Sequence, residues 1–361
     1  MTTPRPAGRH LALVGPTASG KSAVGLALAE RRNAAGRPVE IVSCDSMQVY
    51  RGMDVGTAKP TAAEQARVRH HLIDVVDPTE DFNMPRFVAA VAEALDDIEA
   101  RGSSAVLVGG TGLYLRGVVD QLEPPPHFPE IAEQLEADPD TAALTEQLRE
   151  LDPEALAHIP PGNRRRIIRA LEVTLGTGTP FSTHGPGLHN YGPTPFVLTG
   201  LWPSREVLTT RIAARYDAQM AEGLLGEAQR LADLGPSLSR TAAQALGYRE
   251  LLGHLRGRGT LEEALRDARV RTRRFAVRQQ RWFGRDPRIT WFDPPGVAAT
   301  GGPSGGSGPC GATAPVVGTG PPMATIESVA DRLEELWAKR AAAGVGSVAT
   351  VGGAAVRPGT A

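Results

Sequence analysis

The chain has 361 residues, more than twice the roughly 150 of a typical domain, and 39 Lys and Arg balance 40 Asp and Glu to a net charge of −1. This near neutrality excludes a globally basic protein that coats nucleic acid, although it leaves room for local basic patches. Two cysteines and no long apolar run near the N-terminus indicate neither a disulfide scaffold, a signal peptide nor a membrane span, so we expect a soluble cytoplasmic protein.

The first third of the chain alternates between strand and helix patterns. Short apolar runs bounded by turn residues predict buried strands at residues 11–14, 39–43 and 105–108. Helical spacing of apolar residues predicts helices at residues 22–31 and 84–100. This alternation is typical of parallel βαβ units, whose loops at the carboxyl ends of the strands form the functional site.

The alternation of strands and helices stops at about residue 122 and resumes at about residue 196. We expect a strand at 196–202, followed by long helices at 204–234 and 260–284. The predicted division of the chain is a core at 10–121, an inserted helical subdomain at 122–195, core completion at 196–293, a disordered Gly/Pro linker at 294–322, a C-terminal helix at 323–340 and a flexible tail at 341–361.

Residues 15–22 read Gly-Pro-Thr-Ala-Ser-Gly-Lys-Ser and match the P-loop pattern G-x-x-x-x-G-K-[ST] between a predicted strand and a predicted helix. Glycines let backbone N–H groups face phosphate oxygens, Lys21 neutralises phosphate charge, and the Ser22 hydroxyl can hold Mg²⁺. The motif predicts a site for a diphosphate or a nucleoside polyphosphate such as ATP. The motif alone does not distinguish between these ligands.

The third predicted strand ends in Gly109-Gly110-Thr111-Gly112, without the acidic residue that usually helps a P-loop NTPase to hold Mg²⁺. The acid follows the second strand instead, as Asp45. A carboxylate at this position can act as a proton acceptor for a substrate, although it can also serve as a turn or capping residue or assist Mg²⁺ binding. In the loop that follows, Arg51 and Lys59 are two more cations. A lone cation is by default a solvated surface charge, but the nearness of these two in sequence to the predicted anion site favours a substrate role.

Two arginine-rich segments indicate a nucleic-acid contact surface. Eight arginines lie within residues 266–285, without an acidic residue between Arg269 and Arg285. Five of them fall on one helical face at steps of three and four: Arg271, Arg274, Arg278, Arg281 and Arg285. A second cluster in the predicted insertion contains Arg165, Arg166 and Arg169 within about one turn. Two such helices are suited to hold a folded RNA and to read a loop base.

Seven segments together resemble the tRNA dimethylallyltransferase (isopentenyltransferase) family, from about Leu11 to Asp293. They are GPTASGKS (15–22), DSMQVYRGMDVGTAKP (45–60), HHLIDVVDP (70–78), VGGTGLYLR (108–116), NRRRIIRALEV (163–173), ALGYRE (245–250) and RRFAVRQQRWF (273–283). The resemblance implies an α/β fold with a P-loop NTPase-like parallel sheet core and an inserted helical tRNA-binding subdomain. Departures from the family pattern are Ser22 where Thr is common, Val277 where Lys is common, and Arg281 where a smaller polar residue is common.

By this resemblance the enzyme transfers a dimethylallyl group from dimethylallyl diphosphate to N6 of the adenosine 3′-adjacent to the anticodon, position 37. The tRNAs are those reading codons that start with U, and the products are N6-isopentenyladenosine and diphosphate. A monomer with Mg²⁺ as cofactor is implied. Asp45 would accept a hydrogen bond or a proton from the adenine amine, and Thr111 would stabilise charge on the bridging oxygen.

The resemblance also assigns binding residues. Those expected to hold the diphosphate are Gly15, Pro16, Thr17, Ala18, Ser19, Gly20, Lys21 and Ser22, with Mg²⁺ at Ser22. Those expected to contact tRNA are Asp45, Ser46, Met47, Gln48, Arg165, Arg166, Arg169, Gly247, Tyr248, Arg249, Arg274 and Arg278. Two other classes of protein remain as alternatives. A small-molecule or nucleoside kinase would turn over ATP without RNA, and a non-catalytic RNA-binding module would leave the P-loop and Asp45 without a purpose.

Overall fold

The structure is a computed structural model that describes residues 7–122, 124–185, 187, 190–296 and 324–343. The chain divides into two compact units, of which the smaller is Asp120–Gly192. Within the described ranges, no helix has both the length and the apolar character needed to cross a bilayer.

The larger unit contains a six-stranded, fully parallel sheet. Its strands are β1 (His10–Val14), β2 (Val39–Cys44), β3 (His70–His71), β4 (Ser104–Gly109), β5 (Phe196–Leu201) and β6 (Thr290–Phe292). Their order across the sheet is β3-β2-β4-β1-β5-β6. Gly109 pairs in register with both Val14 and Cys44, so the loops after β1, β2 and β4 leave the sheet at the same level.

Helices surround the sheet and build the smaller unit. The larger unit begins with α1 (Lys21–Ala34), α2 (Ala62–Arg67), α3 (Met84–Ala100) and α4 (Gly112–Val119). The smaller unit contains α5 (Pro129–Ala137), α6 (Thr141–Leu151), α7 (Pro153–His158) and α8 (Arg164–Thr177). The larger unit continues with α9 (Arg205–Ala221), α10 (Leu224–Asp233), α11 (Arg240–Ala243), α12 (Tyr248–Leu255), α13 (Leu261–Phe283) and α14 (Ile326–Ala342).

Burial on both faces explains why the strands read as continuous apolar runs. In β1, Ala12 and Val14 belong to one apolar cluster, whereas Leu11 and Leu13 belong to the cluster on the opposite face. Successive side chains of a strand point to opposite faces, so each face needs its own cover of helices. One of these clusters includes α1 and α14 side chains, and Trp337 is its largest fully buried side chain.

The secondary structure differs from the prediction in detail. The single helix predicted at 204–234 is two helices, because Gly223 adopts a left-handed conformation (φ 100°) between α9 and α10. Residues 72–77 form only one bridge, between Tyr50 and Val76, and Leu72 and Asp74 there have positive φ angles. Strand β6 was not predicted. Most of the predicted linker and tail, at 297–323 and 344–361, lies outside the described residues.

Candidate active site

The P-loop connects β1 to α1 and presents the N-terminus of that helix. Gly20 precedes α1 with φ 93°, a conformation that favours glycine. Because it lacks a side chain, it cannot cap the backbone N–H groups of the first turn. No acidic residue lies in that turn. The first backbone N–H groups of α1 are therefore available to an anion, and the helix dipole adds partial positive charge there.

Lys21 places its ammonium against the same loop. Its Nζ donates to the carbonyl oxygen of Pro16 at 3.3 Å. Burial lowers the pKa of Lys21 to about 8, an effect that the nearby Asp45 carboxylate opposes and the nearby Arg215 guanidinium reinforces. Lys21, Asp45 and Arg215 therefore lie close enough for their charges to interact.

Two arginines of α9 reach the P-loop although the sequence had not singled them out. Arg211 donates from Nη1 to the carbonyl oxygen of Ser19 at 3.1 Å. Arg215, one turn further along, is half-buried, and burial lowers its pKa. Its Nε has no hydrogen-bond partner among the described residues. The four-residue spacing of these arginines was the only signal available, and it does not specify what the helix faces.

Asp45 and Thr111 lie on neighbouring turns that are hydrogen-bonded to each other. The Thr111 hydroxyl accepts a hydrogen bond from the Ser46 backbone N–H at 3.2 Å, and the Thr111 N–H donates to the Cys44 carbonyl at 3.4 Å. Gly109 allows this approach, since a Cβ there would lie 2.1 Å from the Cys44 carbonyl oxygen. The β2 and β4 turns therefore keep Asp45 and Thr111 at one edge of the sheet.

The Asp45 carboxylate also has a local structural role. Its Oδ1 accepts a hydrogen bond from the Met47 backbone N–H at 2.9 Å, which closes the turn. No hydrogen bond to Oδ2 occurs within the described residues. The bond at Oδ1 orients the carboxylate.

Lys59 has a structural role instead of the substrate role that its position indicated. Its Nζ lies 2.6 Å from the Asp54 carboxylate and 2.5 Å from the Asp74 carboxylate, and it also donates to the Tyr50 carbonyl. Arg51 is exposed and donates to the Val75 carbonyl at 3.2 Å. Both cations stabilise the loop that follows Asp45.

Comparison with known proteins identifies the family. Residues 48–286 match the IPP transferase family model, and residues 9–82 match the isopentenyl transferase model. The tRNA dimethylallyltransferase of Salinispora tropica is 46% identical over 296 residues, covering 80% of this chain and 90% of the relative. That of Kineococcus radiotolerans is 48% identical over 291 residues, covering 79% and 90%. The chain belongs to the tRNA dimethylallyltransferase family.

A solved structure of a family member supports the same assignment at the level of the fold. The full-length tRNA isopentenylpyrophosphate transferase of Bacillus halodurans matches with a TM-score of 0.61 and 36% identity. The match covers 92% of this chain and 98% of that one. The predicted family and the predicted P-loop NTPase-like α/β core are confirmed.

Helix α13 carries the first arginine cluster of this tRNA dimethylallyltransferase family member. Arg274, Arg278 and Arg281 are exposed, as the helical spacing predicted. Arg271 instead lies 3.3 Å from the Glu250 carboxylate, and Arg285 follows the end of the helix. The acidic partner of Arg271 was missed because it comes from α12, not from the arginine helix itself.

The residues predicted around α12 and the loop after Asp45 occupy different environments. Arg249 is exposed, whereas Tyr248 is fully buried and Gly247 adopts φ 86°. Gln48 is also buried, and its amide donates to the Thr57 carbonyl at 3.2 Å and to the Ala58 carbonyl at 3.1 Å. Of the predicted tRNA contacts in this region, Arg249, Ser46 and Met47 are the ones with accessible surface.

In the smaller unit, the second arginine cluster lies in the first turns of α8. Arg165 and Arg166 are exposed. Arg169 is half-buried, with Nη1 2.7 Å from Glu172 and Nη2 2.7 Å from the Pro125 carbonyl. Arg164 donates to the Leu135 carbonyl at the end of α5. Arg165 and Arg166 therefore remain open to a ligand, whereas Arg164 and Arg169 stabilise the unit.

Proposed function

We propose that this chain transfers the dimethylallyl group of dimethylallyl diphosphate to a tRNA adenosine. The acceptor is N6 of the adenosine 3′-adjacent to the anticodon, position 37, in tRNAs reading codons that start with U. The observation that carries the proposal is the sharing of one sheet edge by the P-loop, Asp45 and Thr111. The names of the relatives, tRNA dimethylallyltransferases, support the same reaction.

In the proposed reaction the P-loop holds a leaving group. The adenine N6 attacks the allylic carbon, the bond from that carbon to the diphosphate oxygen breaks, and its electron pair leaves with the diphosphate. Asp45 accepts the proton that N6 loses. Lys21, Arg215 and the first amides of α1 stabilise the charge that develops on the diphosphate, and Thr111 does so at the bridging oxygen.

Mg²⁺ fits this site only as a partner of the diphosphate. Ser22 offers one exposed hydroxyl at the start of α1. Within the described ranges, no three His, Cys, Asp or Glu side chains gather into a metal site. Since Mg²⁺ prefers six oxygen ligands, Ser22 would hold the ion while diphosphate and water supply most of its ligands, and the ion would supply charge neutralisation.

The exposed arginines supply the proposed tRNA surface. Arg249, Arg274 and Arg278 in the larger unit, and Arg165 and Arg166 in the smaller one, carry no acidic partner within hydrogen-bond distance among the described residues. Arginine forks bind phosphates bidentately and stack on bases. We propose that the arginines of each unit bind tRNA, in a monomeric enzyme acting in the cytoplasm.

The test is direct analysis of the modified nucleoside. Protein, Mg²⁺, dimethylallyl diphosphate and unmodified tRNA are incubated, and the tRNA is digested to nucleosides for mass spectrometry. We expect N6-isopentenyladenosine in the complete mixture and none when ATP replaces dimethylallyl diphosphate. Asp45→Asn removes the proton acceptor and should lower kcat by about 100-fold or more with little change in tRNA affinity. Absence of the product with the wild-type protein, or equal losses of kcat and affinity in Asp45→Asn, would contradict the proposal.

A further inference from the structure

Gln279 lies on the buried side of α13 and connects the two turns of the active site. Its side-chain Oε1 accepts a hydrogen bond from the Thr17 backbone N–H at 2.8 Å. Its Nε2 donates to the Gly110 carbonyl at 2.8 Å. A single primary amide thus spans the P-loop and the turn that carries Thr111.

The contacts around Gln279 leave little freedom for either turn. A Cβ on Gly110 would lie 2.3 Å from Gln279 Nε2, and a Cβ on Gly112 would lie 2.2 Å from Trp282 Cδ1. Gln279 is only 6% exposed. The glycines of this turn are therefore required by the close approach of α13 as well as by the pairing of β4 with β2.

The chemistry of the bridge demands a primary amide of this length. The side chain must accept from one backbone group and donate to the other, and the Gln279 amide does both through one planar group. Asn is one methylene shorter, so it cannot reach both partners from the same backbone position. An apolar side chain would leave the part-buried Thr17 N–H and the buried Gly110 carbonyl without these partners.

We propose that Gln279 is a positioning residue for the group transfer. It fixes the separation between the P-loop, which holds the diphosphate, and Thr111, which acts on the bridging oxygen. This inference rests on the proposed function. Gln279 acts through these two turns, because its two polar atoms bind the backbone of the P-loop and of the Thr111 turn.

The expected effect follows from the geometry of transition-state stabilisation. Charge-stabilising groups contribute only when they are already placed where the charge develops. A displacement of about 1 Å can lower a rate about 100-fold. Loss of the Gln279 bridge should therefore lower kcat, while the exposed arginine face of α13 continues to bind tRNA.

The neighbouring Gln280 provides a matched control. It is 8% exposed, and its Nε2 donates to the Pro203 carbonyl at 2.8 Å, outside the P-loop and the Thr111 turn. Each glutamine is replaced by Met, which keeps the volume and removes the hydrogen bonds. For both variants, kcat, KM for dimethylallyl diphosphate, KM for tRNA and the thermal midpoint are measured in the isopentenyladenosine assay.

We expect Gln279→Met to lower kcat by about 10- to 100-fold while KM for tRNA stays within about twofold. Both variants should lower the thermal midpoint by similar amounts, since each loses buried hydrogen bonds. Gln280→Met should nevertheless keep kcat within about twofold. Equal kcat values in the two variants, or a change confined to KM for tRNA, would overturn the proposal. If Gln279→Met does not fold, Gln279→Asn and Gln280→Asn decide on the same criteria. A wild-type protein that makes no isopentenyladenosine would contradict the proposed function itself, which separates the two failures.

Discussion

The ammonium of Lys21 is the residue-scale feature with the clearest consequence for pH. Burial lowers its pKa to about 8, so the free protein carries this charge at pH 7 and loses it as the pH rises through about 8. In the proposed reaction, diphosphate binding needs this charge. We therefore expect kcat/KM for dimethylallyl diphosphate, which reports on the free enzyme, to fall above about pH 8.

Lys21→Arg is the control for this prediction because a guanidinium stays protonated throughout this range. Its kcat/KM is expected to be lower at pH 7 but flat through pH 8 to 9. Stability changes with pH in the opposite direction to kcat/KM. The pKa of Lys21 is higher in the unfolded chain than in the folded protein, so the unfolded chain binds this proton more tightly. The contribution of Lys21 to the free energy of unfolding therefore rises with pH above about 8. An unchanged alkaline fall in Lys21→Arg would show that another group titrates.

At the scale of the elements, Glu227 holds the loop after Asp45 against α10 and α12. The carboxylate is 1% exposed and accepts hydrogen bonds from the backbone N–H groups of Asp54, Val55 and Gly56 at 2.8, 3.1 and 3.0 Å. It also accepts from the Tyr248 hydroxyl, whose pKa is raised by burial and by this carboxylate. This explains structurally why Tyr248 lies inside the protein.

Glu227→Gln should destabilise the protein. The carboxylate accepts only from donors, and the amide replaces one of its acceptor oxygens by an NH₂ donor. At least one of these buried hydrogen bonds is therefore lost, at a cost of about 1–3 kcal/mol. Thermal or urea unfolding measures the change. Glu222→Gln, which alters an exposed carboxylate at the end of α9, is the control and should be near neutral. Equal stability of the two variants would contradict this account of the loop.

Helix α14 is held in place by residues that are far from it in sequence. Trp337 donates from Nε1 to the Gly8 carbonyl at 2.8 Å, and the Arg32 guanidinium lies 3.8 Å from the centre of its ring. Arg32 also pairs with Glu334 at 2.9 Å. The C-terminal helix thus stabilises the end of α1 whose beginning forms the phosphate site.

At the scale of the whole molecule, the sequence was informative wherever chemistry is encoded locally. The P-loop was predictable because its residues are contiguous and lie between a strand and a helix. Asp45 and Thr111 followed from the rule that parallel strands bring their carboxyl ends to one edge. The helix at 84–100 was predicted with its correct limits because Asn83 caps it and its apolar face is regular.

The remaining site residues depend on contacts between distant parts of the chain. Gln279 meets Thr17 across 262 positions, and Arg211 meets Ser19 across 192. Neither pairing leaves a local pattern in the sequence. Conversely, Lys59 and Arg169 looked like ligand-binding cations. Each pairs with an acid close in sequence, Asp54 and Glu172 respectively. Their other partners, Asp74 and the Pro125 carbonyl, lie 15 and 44 positions away.

In the proposed reaction, the P-loop holds a leaving diphosphate while a carbon fragment moves to RNA. The most direct measurement uses dimethylallyl diphosphate labelled with ¹⁴C in the allyl group and with ³²P in the diphosphate, together with unmodified tRNA. We predict that tRNA gains one ¹⁴C label for each diphosphate released and gains no ³²P. Transfer of ³²P to the RNA, or release of diphosphate without ¹⁴C in the RNA, would contradict the account.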